Sequence, residues 1–361
     1  MKREWSIRSY KETDLDALYE LTKVVWGEEV PEKERWMKGW KWMHVDNPAG
    51  TSAIWIAEHE GEIVGQDYLI MENMKIRGKL VKGFQTMDTI VHPQYRRQGI
   101  ASILLREIHN EVAKEGIHLG FAFPNQQSYP QRMKSGWLDV YTFQVMVKPL
   151  NFRNFLERYL TRREPLLKVL TLGGNLIIKA FFRTRKPPEV DGLTIDKISY
   201  FDDRFDDFWN RISDDYPLIV VRDKKYLNWR YVDVPDVKYT IYAAEEKGQI
   251  CGYIVLGFTH NEGGELGHIY DIIAPPDRED IICSLISKAV EHFTDEKVDA
   301  ILSKMVANKV YHKSLSKSGF IPHFRFKGHF IAYKTTAELS EAFLKNPKNW
   351  FIQLGDLPGV Y

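Results

Sequence analysis

Apolar positions change period along the chain, and those changes mark its elements. Ile7 to Tyr10 alternates as a strand, and a helix follows from about Asp14 to Trp26, with Thr13 and Asp16 placed to cap it. Ala53–Ala57 and Ile63–Ile70 read as strands joined at Glu60-Gly61, a hairpin signal. Phe84 to Val91 is another strand, closed by Pro93. Ile100, Ile103, Leu104, Ile108 and Val112 then recur at helical spacing, predicting a helix over 99–114 with one buried face. Leu119–Phe123 reads as a strand, Gln126–Lys134 as a helix and Tyr141–Val147 as a closing strand.

The pattern returns in the second half. Trp42-Met-His-Val-Asp-Asn-Pro48 reappears as Trp229-Arg-Tyr-Val-Asp-Val-Pro235, an offset of 187. The offset holds to Gly65/Gly252, with 10 identities in 24 positions, which marks a duplication. Farther on it becomes 183, through Asp88/Asp271, Pro93/Pro276, Asn125/Asn308 and Lys134-Ser-Gly136 against Lys317-Ser-Gly319. The expected fold is α/β (α+β), as two tandem units, each a mixed, mostly antiparallel sheet flanked by helices. The expected boundaries are 1–148, a linker 149–190, a second unit 191–335 and a tail 336–361.

Composition adds limits. Fifty Lys and Arg balance 49 Asp and Glu, so net charge gives no long-range pull toward nucleic acid. Two cysteines are too few for a disulfide framework, and the 11 histidines form no metal-binding pattern. The first residues have no apolar run like a secretory signal, and Leu166–Phe182 is too interrupted to span a bilayer, so the expected setting is cytoplasmic. Asn151 to Pro187 holds nine basic residues and two acids, which suits a solvated helical linker or a weak peripheral membrane contact.

The sharpest chemistry lies in Asp88-Thr-Ile-Val-His-Pro-Gln-Tyr-Arg-Arg-Gln-Gly-Ile-Ala101. A strand ends, a basic glycine turn follows, and a helix begins. The unpaired N–H groups and dipole of that helix start point at one spot, where two arginines add charge: a pyrophosphate cradle. The 183 offset places Glu279-Asp280-Ile281-Ile282 opposite Arg96-Arg97-Gln98-Gly99. Acids and β-branched side chains in that turn predict a second copy that cannot bind a pyrophosphate.

Arg96, Gly99 and Ala101 fit the Gln/Arg-x-x-Gly-x-Gly/Ala motif, so the segment resembles the acyl-CoA-binding turn of the GNAT superfamily of N-acetyltransferases. Pro124-Asn125 through Tyr129 to Gly136-Trp137 looks like a second motif of that family. The resemblance covers about residues 3–148 and recurs weakly over 191–335, like a tandem GNAT protein with one degenerate copy. It implies direct transfer of acetyl from acetyl-CoA, as co-substrate and without a metal, to a small-molecule primary amine. Ile90 or Val91 would offer an oxyanion N–H; Arg96, Arg97, Gln98, Gly99, Ile100 and Ala101 would hold the pyrophosphate, and Asn125 the pantetheine arm. Asp88 is the candidate base, with a structural role as the alternative because Asp271 repeats it. Tyr129 is the candidate acid, although the family's usual tyrosine position, four before Gly136, is held by Arg132.

Some tandem relatives use the terminal carboxylate as base, and the apolar end Trp350–Tyr361 suits docking toward the cleft between the units. Trp36, Trp40, Trp42 and Trp55 are candidates to face a sugar or aromatic acceptor, with Trp42 better placed in the core because it recurs as Trp229. Similar two-copy chains suggest an amino-sugar acceptor of polysaccharide or cell-envelope biosynthesis. The competing readings are a non-catalytic acyl-CoA-binding scaffold and a Fem-like aminoacyl transferase; oligomeric state is left open.

Overall fold

The computed structural model describes residues 4–150, 186–261, 264–306 and 308–357. The basic segment expected as linker and membrane contact lies almost wholly outside them, as do the last four residues, which carry the candidate terminal carboxylate.

In the first half, β1 (Ser6–Ser9), β2 (Ala53–His59), β3 (Glu62–Ile76) and β4 (Lys79–Val91) pair antiparallel in that order. Helices α1 (Leu15–Trp26) and α2 (Lys33–His44) cover one face. Helix α3 (Ile100–Lys114) covers the other. Strand alternation sorts the side chains: Ile54 and Ile56 pack with α1 and α2, whereas Trp55 and Ala57 turn toward α3. The half continues with β5 (Leu119–Ala122), α4 (Tyr129–Lys134) and β6 (Leu138–Pro149).

The second half repeats this order. It runs β7 (Leu193–Ile198), α5 (Arg204–Ile212), β8 (Leu218–Val220), α6 (Lys224–Tyr231), β9 (Thr240–Glu246), β10 (Gln249–Asn261) and β11 (Gly264–Ile273). Then come α7 (Glu279–Asp295), β12 (Ala300–Lys304), α8 (Lys309–Lys317) and β13 (Ile321–Lys334). A short α9 (Glu341–Lys345) and β14 (Trp350–Phe351) close the described chain.

The two halves exchange their last strands. β13 lies against β5, and β6 lies against β12, each taking the place of its own repeat counterpart. β6 and β13 then pair antiparallel with each other, fusing both half-sheets into one of 14 strands. The core is therefore shared.

Two repeated glycines allow close helix packing. A Cβ on Gly65 would stand 2.9 Å from Ile100 Cγ2 at the start of α3, and one on Gly252 3.1 Å from Leu285 on α7. The predicted cap differs from what is observed. Chain reversal before α1 begins earlier, where Asp14 accepts from the Lys11 N–H at 2.7 Å and pairs with Arg8, so neither Thr13 nor Asp16 is needed there. Helix α2 went unpredicted because its four Lys and Arg residues, interleaved with three tryptophans, blur the apolar stripe.

Candidate active site

The strand β4 carries a bulge at the centre of the first half. Its register with β3 runs Met87 against Tyr68 and then Ile90 against Gln66, which leaves an extra residue on β4. Asp88 absorbs it in the left-handed region, at φ 50°. As a result Met87 and Asp88, adjacent in sequence, both line the same cavity, while Thr89 turns to the opposite face. In regular alternation Asp88 would have pointed away from that cavity.

Asp88 has no hydrogen bond or ion pair among the described residues. Its carboxylate is open to the cavity, and the protein packed around that cavity pushes its pKa up to about 6 by desolvation. The cavity is about 220 Å³ and lies between α1, α2, β3 and β4. Trp26, Trp36, Trp40 and Met43 form apolar walls, and Gln66, Tyr68 and His44 supply polar groups. Pro235 and Asp236 of the second half close one side.

Parallel pairing of β4 with β5 ends at Gln85–Phe121, short of the bulge, so beyond it β4 has no strand partner on that side among the described residues. Ile90 and Val91 lie in this open stretch. The chain then passes a short turn at Pro93–Tyr95 and reaches Arg96, whose Nε donates to the Val91 carbonyl at 3.2 Å. Arg97 (φ 64°) and Gly99 (φ 86°) are left-handed, and a Cβ at Gly99 would meet nothing within 4 Å. The first helical bond of α3 runs from Ile103 N–H to the Gly99 carbonyl, which leaves the N–H groups of Ile100, Ala101 and Ser102 without helical partners. Buried Ile100 pins this helix start to Gly65, while Arg97, Gln98 and Gly99 stay exposed. These residues fit a pyrophosphate: open backbone, positive charge and free N–H groups converge there.

The motif after β5 divides its roles. Asn125 Oδ1 accepts from the N–H groups of Gln127 and Ser128 at 3.0 and 2.9 Å, and Asn308 caps α8 in the same way. Only the Asn125 amide N–H groups remain for a ligand. Tyr129 stacks on His329 of the exchanged strand β13 with ring centroids 3.9 Å apart. Desolvation first, and then Asp139, raise its hydroxyl pKa. Arg132 is buried and donates to Thr89 Oγ1 at 2.7 Å, which in turn donates to Asp67 Oδ1 at 2.9 Å. Beneath the bulge, therefore, an arginine stands at the usual tyrosine position and braces β4.

Residues 6–137 match the family model described as the acetyltransferase (GNAT) domain. Over that stretch the chain matches a GNAT domain. Solved structures extend the likeness to both halves. A GCN5-related N-acetyltransferase from Anabaena variabilis is 12% identical over 92% of this chain and 73% of its own, with TM-score 0.66. A probable N-acyltransferase from Enterococcus faecalis gives 12% identity, the same coverages and TM-score 0.64. The Saccharomyces cerevisiae N-myristoyltransferase with bound myristoyl-CoA gives 14% identity over 92% of this chain and 83% of its own, with TM-score 0.59. At such identities the likeness is one of fold, a GNAT-like unit in each half. No curated protein sequence matches the chain.

The second GNAT-like copy is built differently at the matching places. Glu279 to Ile282 do not form a turn, contrary to the expectation from the offset; they are the first turn of α7 itself. Ile281 and Ile282 are fully buried, Glu279 pairs with Lys313 and Lys317, and Asp280 pairs with Arg278. The gap beyond the last β11–β12 pair, Ile269–Ser303, is filled by the tail. Gln353 exchanges bonds of 3.1 and 2.8 Å with the Ile272 backbone, and Val306 N–H donates to the Ile352 carbonyl at 2.9 Å. Asp271 is buried there, accepting from Arg222, Tyr231, Tyr253 and Gln353. Its repeat counterpart Asp88 has none of these partners.

Sequence reasoning missed Gln66, Tyr68 and His44. The signal was present: Gln66-Asp67 interrupts an otherwise apolar strand. Of the four tryptophans singled out, Trp36 and Trp40 line the cavity; Trp42 stacks on Trp229, and Trp55 packs on the α3 side. No group of three or more metal-ligating side chains occurs among the described residues, and no described helix is long and apolar enough to cross a membrane.

Proposed function

We propose that this chain is an N-acyltransferase that transfers acetyl from acetyl-CoA to a primary amine. The observation that carries this reading is Asp88: an unpartnered carboxylate, re-aimed by a bulge into a cavity beside the opened end of β4. The cradle Arg96, Arg97, Gln98, Gly99, Ile100 and Ala101 would take the pyrophosphate, and Asn125 the pantetheine arm. The thioester carbonyl would then lie at the open stretch of β4, where the N–H of Ile90 or Val91 is the oxyanion donor.

The acceptor enters as an ammonium held by ionised Asp88. Asp88 takes one proton, directly or through a water, and the amine lone pair attacks the carbonyl carbon. A C–N bond forms, the C–S bond breaks, and the amine nitrogen's second proton goes to the departing thiolate. Tyr129 is the proposed relay for that proton. Its raised pKa makes it a weaker acid than an ordinary phenol, so it passes a proton rather than driving the step.

Catalysis is assigned to residues 1–148, completed by the exchanged strand β13. The second copy, with its gap filled by its own tail, serves as a wall of the acceptor cavity. An amino sugar falls within this reading as one kind of primary amine. Use of coenzyme A implies a cytoplasmic setting, which two free cysteines suit.

The test is thiol release from acetyl-CoA by the purified full chain across a panel of primary amines, alkyl, aryl and sugar. Amine-dependent release is expected. Tight acetyl-CoA binding with no release for any amine would replace this reading with the binding-scaffold one.

A further inference from the structure

We infer that the acceptor amine is carried on a small aromatic or apolar body, with its ammonium received by Asp88, Gln66 and Tyr68. This rests on the proposed N-acyltransferase reading and adds the substrate class. Three of the cavity's polar groups stand on the neighbouring strands β3 and β4. Gln66 is 1% exposed, and its amide makes no hydrogen bond among the described residues. Such a buried, unpartnered amide costs free energy unless a ligand or water meets it. Tyr68, on the same face of β3 and opposite Met87, is 2% exposed, and burial raises its hydroxyl pKa, so it stays a neutral hydroxyl that can accept. With the Asp88 carboxylate, these give three oxygen acceptors for the three donors of an ammonium. The Gln66 amide presents its oxygen in one of its two equivalent orientations.

Local charge also favours a cation. Arg35 at the rim is engaged by Asp236 at 3.6 Å, and burial pushes the His44 pKa down to about 3, so His44 is neutral. Glu29 and Asp88 are left without a countercharge among the described side chains lining the cavity. Three tryptophans also line the cavity: the Trp36 and Trp40 ring centroids are 6.5 Å apart, and Trp26 is half-exposed. Aromatic faces hold apolar bodies and cations but leave hydroxyl groups unsatisfied. A sugar ring set against these indole faces would turn hydroxyls toward surfaces that offer them no hydrogen-bond acceptor, losing water there without return. The cavity of about 220 Å³ is also below the usual ligand-pocket range of about 300–1,000 Å³, which limits the acceptor to an ammonium and roughly one ring.

The experiment compares 2-phenylethylamine, butylamine and glucosamine as acceptors with acetyl-CoA and the full chain, alongside calorimetric binding of 2-phenylethylamine. Phenylethylamine is expected to exceed glucosamine in kcat/KM by at least tenfold. Trp26→Ala, at an exposed rim position, should cut the phenylethylamine value about tenfold, and Trp26→Phe should restore it. Gln66→Leu should weaken phenylethylamine binding at least fivefold while leaving circular dichroism unchanged. A preference for glucosamine would overturn the substrate class and leave the acyltransferase reading standing. A Trp26→Ala effect on acyl-chain length instead of on the amine would overturn it too, by making the cavity an acyl site. If no amine is turned over, calorimetry still decides: binding lost in Gln66→Leu supports the amine site although the enzyme reading fails, and no binding overturns both.

Discussion

Trp42 and Trp229, the two copies of one duplicated residue, stack on each other with ring centroids 4.6 Å apart and 16° between planes. Each indole N–H donates to the other's backbone carbonyl, at 2.8 and 3.0 Å. The duplication thus becomes a two-fold contact within one chain. Both residues are buried, so the pair joins the halves through apolar area and satisfied polar groups together.

Trp229→Ala should cost about 3–5 kcal/mol, the usual loss for a buried large aromatic. A double-mutant cycle with Trp42→Ala should show a coupling of about 0.5–3 kcal/mol. Because β6 and β13 are exchanged, denaturation followed by fluorescence and by circular dichroism should give one shared transition. Two separate transitions would show that the halves unfold independently.

Asp88 acts as base only when ionised, which requires a pH above about 6. The kcat/KM for an amine should therefore fall about tenfold per pH unit below 6, beyond any effect of amine protonation. Asp88→Asn should lower turnover at least 100-fold. A folded-state pKa raised above the ordinary carboxyl value stabilises the fold at low pH and loses that contribution as pH rises through 6. The same substitution should thus not lower Tm at pH 7.5. A fall in both activity and Tm would make Asp88 structural.

Gly99→Glu places a Cβ and a carboxylate at φ 86°, in the centre of the proposed cradle. The backbone strain is about 1–2 kcal/mol, and the charge repels phosphate. CoA affinity by calorimetry should drop more than 100-fold. Ile282→Val on α7 should leave CoA affinity unchanged; equal losses would mean that both copies bind.

Glu72 is buried beside Gln85, which donates to it at 2.7 Å, and desolvation pushes its pKa up to about 8. A raised carboxyl pKa means that the fold holds a proton the unfolded chain would release. Stability should therefore fall as pH rises from about 4.5 to 8. Glu72→Gln should flatten Tm across that window, measured by calorimetric scans from pH 5 to 8.5. An unchanged pH slope would place its source elsewhere.

The sequence by itself determined the features set by local pattern. The duplication, the strand–turn–helix around Gly99, the apolar face of α3 and the mismatch of Glu279–Ile282 all rest on residues near one another. Tertiary structure decided the rest. The strand exchange was illegible because β6 and β13 are repeat counterparts, so either fits either slot and only the closed sheet chooses. The orientation of Asp88 was hidden because strand alternation, read from sequence, puts it on the other face; the bulge that turns it is set by pairing with β3. Asp88 and Asp271 are one residue type at one repeat position. One lines a cavity, and the other accepts from Arg222, Tyr231, Tyr253 and Gln353, the last of these brought in by the tail, which is distant in sequence.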